Sequence, residues 1–172
     1  MATSPHVYRT ELTPVDFLKR NACVLPDKPA VIHGARRYTY RQLEERANRL
    51  ASALRRAGLR KLDRVAFLCP NIPAMLEAHY GVPMAGGVLV AINIRLSTDE
   101  IGYILKHSGS RFVFVDAELE NLIKPLDLNG LTVVRVDDTG VAGDPYEDFL
   151  RTGSPEPVAS WLESEEELLA IN

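Results

Sequence analysis

The sequence predicts an α/β fold, an open and mainly parallel sheet with helices on both faces. Three observations carry that expectation. Strand-like runs begin near residues 65, 88, 112 and 132, about 22 residues apart, with helical patterns between them. Two of those runs, 65–69 and 88–92, are wholly apolar, the pattern of strands buried on both faces. The stretch between them carries Ile72, Met75, Leu76, His79, Tyr80 and Pro83 on one side and Ala74, Ala78, Gly81 and Ala85 on another, with Glu77 as its only charge. Such a helix is sandwiched rather than surface-lying. With its two strands it makes a right-handed parallel βαβ unit.

The other elements follow in chain order. Thr13-Pro14 opens a first helix, with Asp16 favoured in its first turn and Val15, Leu18 and Ala22 forming its apolar stripe. Residues 30–33 and 37–40 read as short strands around a turn at Gly34, a hairpin. Thr39 and Gln42 have the spacing of a capping box. Behind it Leu43, Ala47, Leu50, Leu54 and Ala57 share one helix face, Glu44, Glu45, Arg49, Arg55 and Arg56 lie off that face, and Gly58 stops the helix.

Asn71 is expected to cap the helix after the 65–69 strand, with Pro73 in its first turn and Gly86-Gly87 ending it. Ser97 and Glu100 form a second capping box, and Leu96 can staple onto Ile101. Ile104 and Leu105 continue that helix's buried face, while Lys106 and His107 suit its C-terminal end. A strand over 112–115 leads to Asp116, a cap for a helix ending near Pro125, and a strand over 132–136 follows. Residues 138–145 read as a polar turn, 146–150 as one helical turn, 154–164 as a connector and 168–171 as a last strand. The expected organisation is one α/β subdomain over 1–172: helix, hairpin and long helix in 14–57, the alternating core in 64–136, connector and last strand in 137–172.

Composition narrows the partners. The chain is 46% hydrophobic and 25% charged with a net charge of −3, an ordinary globular balance. It has no basic stripe to neutralise phosphates, so nucleic acid is not an expected partner. Cys23 and Cys69 are too few for a disulfide framework, and Cys69 reads as a small core residue. The first twenty residues lack an apolar core segment, so no signal peptide is expected. Residues 78–94 carry no charge, yet Gly81, Pro83, Gly86, Gly87 and Asn93 suit a helix–turn–strand better than a membrane span. The expected compartment is the cytoplasm or an organelle matrix.

Residues able to carry chemistry are few. No Gly-x-Gly-x-x-Gly after a strand, no phosphate-loop lysine motif, no His-Glu-x-x-His and no Gly-x-Ser-x-Gly occurs. His6, His33, His79 and His107 have no second ligand at metal spacing, and His79 reads as a core or interface residue. Asp116, Asp137 and Asp138 follow strands, where open α/β sheets place their sites, and serve equally well as caps and turn formers. Glu165, Glu166 and Glu167 read as a solvated segment. Catalytic, cofactor-binding and metal-binding residues are each expected to be none.

Four segments in order are more specific. Tyr38-Thr39-Tyr40-Arg41-Gln42-Leu43 resembles the first core motif of the adenylate-forming superfamily, which comprises acyl-CoA synthetases, luciferases and peptide-synthetase adenylation domains. Asp63-Arg64-Val65-Ala66 through Pro70-Asn71 resembles its next strand and helix start, and Tyr80-Gly81 with Met84 through Asn93 resembles its second core motif. Asn93-Ile94-Arg95-Leu96-Ser97, then Glu100 through Leu105, is similar to the form found in fatty and aryl acyl-CoA synthetases. The resemblance implies an N-terminal fragment of an AMP-forming synthetase, truncated before the phosphate loop.

On that resemblance the phosphate loop, adenine segment, magnesium-binding glutamate, ribose-binding aspartate and catalytic lysine lie beyond Asn172. ATP, magnesium and CoA are implied for the parent and none for this chain, whose Asn93, Arg95 and glycines shape the subdomain. The chain alone is expected to be inactive, with the remainder of the parent as its partner. Self-association is expected through the 75–90 region or the open edge of the final strand. The alternative is a truncated, non-catalytic interaction module of the same fold. A third reading, a stand-alone flavodoxin-like or receiver domain, ranks low, because Pro70-Asn71 stands where a receiver needs paired acids.

Overall fold

The computed structural model describes residues 13–159, 161 and 170–171. In chain order the elements are α1 (Pro14–Val24), β1 (Pro29–His33), β2 (Arg36–Thr39), α2 (Tyr40–Arg56), β3 (Arg64–Leu68), α3 (Pro73–Met84) and β4 (Val88–Ala91). They continue with α4 (Thr98–Ser108), β5 (Ser110–Asp116), a single 3-10 turn (Ala117–Leu119), α5 (Glu120–Ile123), β6 (Thr132–Val136), α6 (Pro145–Arg151) and β7 (Ala170–Ile171). Five strands form one parallel sheet in the order β6-β5-β3-β4-β7. β1 and β2 form a separate antiparallel hairpin.

Alternation along the strands builds two cores. Val65, Phe67 and Cys69, with Leu89, Phe112, Phe114, Val134 and Val136, pack with residues of α1, α2, α3 and α6. Their neighbours Ala66, Leu68, Val90, Ile92, Val113 and Val115 pack with Ile101 and Leu105 of α4 and Ile123 of α5. The first core is centred on aromatics. Phe67 and Phe114 stack with centroids 4.4 Å apart, and Tyr146 and Phe149 meet Phe114 edge-on at 5.9 and 5.3 Å.

Local chemistry sets the helix starts. Thr13 Oγ1 accepts from the Asp16 amide, and both expected capping boxes, Thr39/Gln42 and Ser97/Glu100, are complete. The small stripe of α3 lets α2 approach closely. A Cβ on Gly81 would sit 2.8 Å from Leu50 Cδ2 and 3.0 Å from the Ala47 carbonyl, so only glycine fits the crossing.

The structure corrects several expectations. Asn71 does not cap α3. Ile72 occupies that position with no side-chain bond, because Pro73 at the first helical position already lacks an N–H and shifts the start by one residue. Tyr40 begins α2 rather than ending β2, and Ala57 lies past the helix end and is exposed. The 75–90 region is not a free face: Met75, Ala78, Val82, Met84, Val88, Leu89 and Val90 are all buried within the chain. Of the last apolar run only the backbone of Ala170 and Ile171 lies within the described residues; Glu165 to Leu168 and His6 lie outside them.

Candidate functional site at the carboxyl edge of the sheet

Topology makes the crevice. The chain leaves β3 through α3 on one face of the sheet and leaves adjacent β4 through α4 on the other, so the two exit loops diverge. In open α/β sheets that point is where ligands sit. A cleft of about 600 Å³ lies there, floored by Cys69, Met75 and Ile92 and flanked by Asn71, His79, Asn93 and Arg95. A second groove of about 290 Å³ shares Asn71, Met75 and His79 and runs under the hairpin past Val31, Ile32 and His33.

Each flanking group has a local reason for its place. Asn93 Oδ1 accepts from the Arg95 amide at 3.0 Å, a turn that fixes the loop after β4. Arg95 is exposed, and its guanidinium makes no ion pair or hydrogen bond among the described residues. His79 is exposed on the rim, not in the core. Its Nδ1 donates to the Met75 carbonyl at 2.8 Å, one helical turn back, which orients the ring and leaves Nε2 without a partner among the described residues. At the floor, burial pushes the Cys69 thiol far above its ordinary range, so it is no thiolate nucleophile at neutral pH. The cleft thus offers a cation, two amides and an imidazole over an apolar floor, a surface suited to binding an anionic or polar ligand.

The carboxylates after the strands are occupied by the fold. Asp116 Oδ1 accepts from the Glu118 amide at 2.9 Å and Asp137 pairs with Arg135 at 2.7 Å. Asp138, at a φ of 54°, pairs with Arg36 at 2.5 Å and His33 at 3.1 Å, tying the hairpin to the end of β6. His107 stacks on Tyr103 at the surface. Among the described residues no three His, Cys, Asp or Glu side chains gather as metal ligands.

Sequence reasoning missed the rim position of His79, because helical periodicity put it one step from Met75 and Tyr80 on an apolar side. It also missed the partner of Glu77. Arg46 Nε donates to Glu77 Oε1 at 2.6 Å, and Tyr146 Oη donates to Glu77 Oε2 at 2.8 Å. A lone acid on a sandwiched helix was the available signal, since a buried charge requires a partner.

Residues 18–169 match the family model described as AMP-binding enzyme. The chain belongs to that family. It is 40% identical to a peroxisomal acetate/butyrate–CoA ligase of Arabidopsis thaliana, covering 85% of this chain and 29% of that protein. It is 36% identical to an acetate–CoA ligase of Humulus lupulus, covering 95% of this chain and 32% of that protein. Among solved structures, an anthranilate CoA ligase in complex with anthranoyl-AMP superposes with a TM-score of 0.83 at 26% identity, over 96% of this chain and 32% of that one. A benzoate CoA ligase from Burkholderia xenovorans gives a TM-score of 0.77 at 28% identity, over 86% of this chain and 30% of that one. The chain spans about a third of the length of these relatives. Among the described residues no helix is long and apolar enough to cross a membrane.

Proposed function

We propose that residues 1–172 form one α/β subdomain of an AMP-forming acyl-CoA synthetase. The parent reaction joins a carboxylate to the α-phosphorus of ATP, giving acyl-adenylate and pyrophosphate. CoA thiol then attacks the acyl carbon, giving the thioester and releasing AMP. The observation that carries this reading is the family match across 18–169, together with the similarity over most of this chain to acetate/butyrate– and acetate–CoA ligases. The five-stranded parallel sheet with its carboxyl-edge crevice supports it.

Within that reaction this chain supplies no catalytic, cofactor-binding or metal-binding side chain. On this reading ATP, magnesium and the reacting carboxylate are held mainly by the remainder of the synthetase. The role of the chain is to build one wall of the crevice, and its partner is that remainder. The compartment is the cytoplasm or an organelle matrix.

A chimera tests the reading. The segment of the Arabidopsis acetate/butyrate–CoA ligase matched by this chain is replaced with residues 1–172. Carboxylate-dependent exchange of pyrophosphate into ATP by the chimera is the expected result. A chimera that folds and binds ATP but exchanges with no acid of a broad panel overturns it.

A further inference from the structure

The hairpin of β1 and β2 stands outside the main sheet and is weakly anchored. Every residue of both strands is exposed or half-buried, and Ile32 is 64% exposed. A two-stranded hairpin is marginal by itself, so it depends on what it leans on. At its root, the Tyr40 amide donates to the Lys28 carbonyl and the Arg41 amide to the Pro26 carbonyl, each at 3.1 Å. In its middle, Ala30 and Val31 pack on the core, and Arg46 lies 4.9 Å from the Tyr38 ring centroid. At its tip, both ion pairs found among the described residues end on one carboxylate. Asp138 accepts from Arg36 at 2.5 Å through Oδ1 and from His33 Nε2 at 3.1 Å through Oδ2.

The catch is firmer than the hairpin that it holds. On either side of Asp138, the amides of Asp137 and Thr139 donate to Asp144 at 3.2 and 2.9 Å, and Asp144 caps α6. Gly140 lies against the tip, where a Cβ would stand 3.0 Å from Arg36 Cδ. What the tip borders is a cavity. Val31, Ile32 and His33 line the groove of about 290 Å³, together with Ile72, Leu76 and His79 from the start of α3. That groove shares Asn71, Met75 and His79 with the crevice, so the hairpin borders the crevice through it.

We propose that the β1–β2 hairpin is a lid over this groove, clasped at its tip by Asp138 and hinged at its root beside Lys28 and Tyr40. Opening widens the crevice on its α3 side, and closure shields Ile72 and Leu76 from water. With no fully buried residue to extract, the hairpin opens without unfolding the sheet, as low-stability segments do. The lid role rests on the reading of the crevice as a ligand site; the opening of the hairpin rests on its contacts alone.

Amide hydrogen exchange on the full chain tests the clasp. Asp138→Gly removes the carboxylate and keeps a residue at ease with the φ of 54°. It is expected to speed exchange in β1 and β2 about fivefold, the scale of a partly exposed ion pair, while β3 and β5 keep their protection. Arg36→Met is expected to act in the same direction, and it carries the test if Asp138→Gly fails to fold. Access to the groove is read with Leu76→Cys in a Cys23→Ser background. Its modification by N-ethylmaleimide is expected to quicken when Asp138→Gly is added. Unchanged exchange in β1 and β2 overturns the clasp, as does equal acceleration in β3 and β5. Faster exchange without faster modification at Leu76→Cys overturns the lid. Neither readout involves pyrophosphate exchange, so the lid and the synthetase reading fail separately.

Discussion

Arg46 on α2 and Glu77 on α3 meet through Nε and Oε1 at 2.6 Å, with no part of the Glu77 side chain reaching solvent. Arg46 also donates to Glu147 of α6, at 2.5 Å and 2.9 Å, and so pins three helices on one face of the sheet. Burial pushes the Glu77 carboxyl above its ordinary range against the opposing pull of Arg46 and Tyr146. Arg46, flanked by two carboxylates that outweigh its own burial, is held cationic.

Removing one partner leaves the other charge buried. Arg46→Met is therefore expected to cost about 3–5 kcal/mol, and Arg46→Met combined with Glu77→Gln less than the sum of the two single changes. Urea melts of the four proteins check this. Additive costs would mean that the two groups act independently.

Asp144 carries a pH signature. Its carboxylate accepts amide hydrogen bonds from Thr139 at 2.9 Å, Tyr146 at 3.0 Å and Asp137 at 3.2 Å. Burial opposes the charge, but these donors outweigh it and hold the carboxyl below its ordinary value. A folded value below the unfolded one means stability present above about pH 4 and lost as pH falls through the folded value. Asp144→Ala should thus lose about 1–2 kcal/mol at neutral pH, and the gap to the unmodified chain should close in acid. A gap independent of pH would contradict the assignment.

Position on the helices ranks three further substitutions. His79 is exposed, so His79→Ala should shift stability by no more than about 0.5 kcal/mol. Ser97→Ala should cost about 1 kcal/mol through the lost cap. Leu54, fully buried on the inner face of α2, should cost roughly 2–4 kcal/mol as alanine. Denaturant midpoints give the order, and a costly His79→Ala would return that residue to the core.

Gly81→Ala tests the close crossing of α2 and α3. The added methyl meets Leu50 and the Ala47 carbonyl, one of them backbone that cannot yield. A loss of about 1–3 kcal/mol is expected despite alanine's better helix propensity. A stabilised variant would show that the helices part easily.

Much of the fold was legible because periodicity and caps are local signals. The apolar run at Val65 named a central strand, and Ser97 with Glu100 named a helix start that the structure reproduces to the residue. What stayed hidden depends on chain reversal in space. Nothing in the sequence order says that β5 crosses back to lie beside β3, and that crossing is what opens the crevice between β3 and β4. His79 was misplaced because an α-helix turns gradually, so a residue bordering an apolar stripe can lie on either side of the boundary. The pairing of His33 and Arg36 with Asp138 joins residues about a hundred positions apart, beyond any local pattern.

The most direct measurement is acid-dependent exchange of pyrophosphate into ATP by two proteins: residues 1–172, and the same residues continued through the natural reading frame after Asn172. The account predicts no exchange above blank for the first, and exchange with at least one acid of a broad panel for the second. Exchange by residues 1–172 alone, or a folded longer protein that neither binds ATP nor exchanges with any acid, would contradict it.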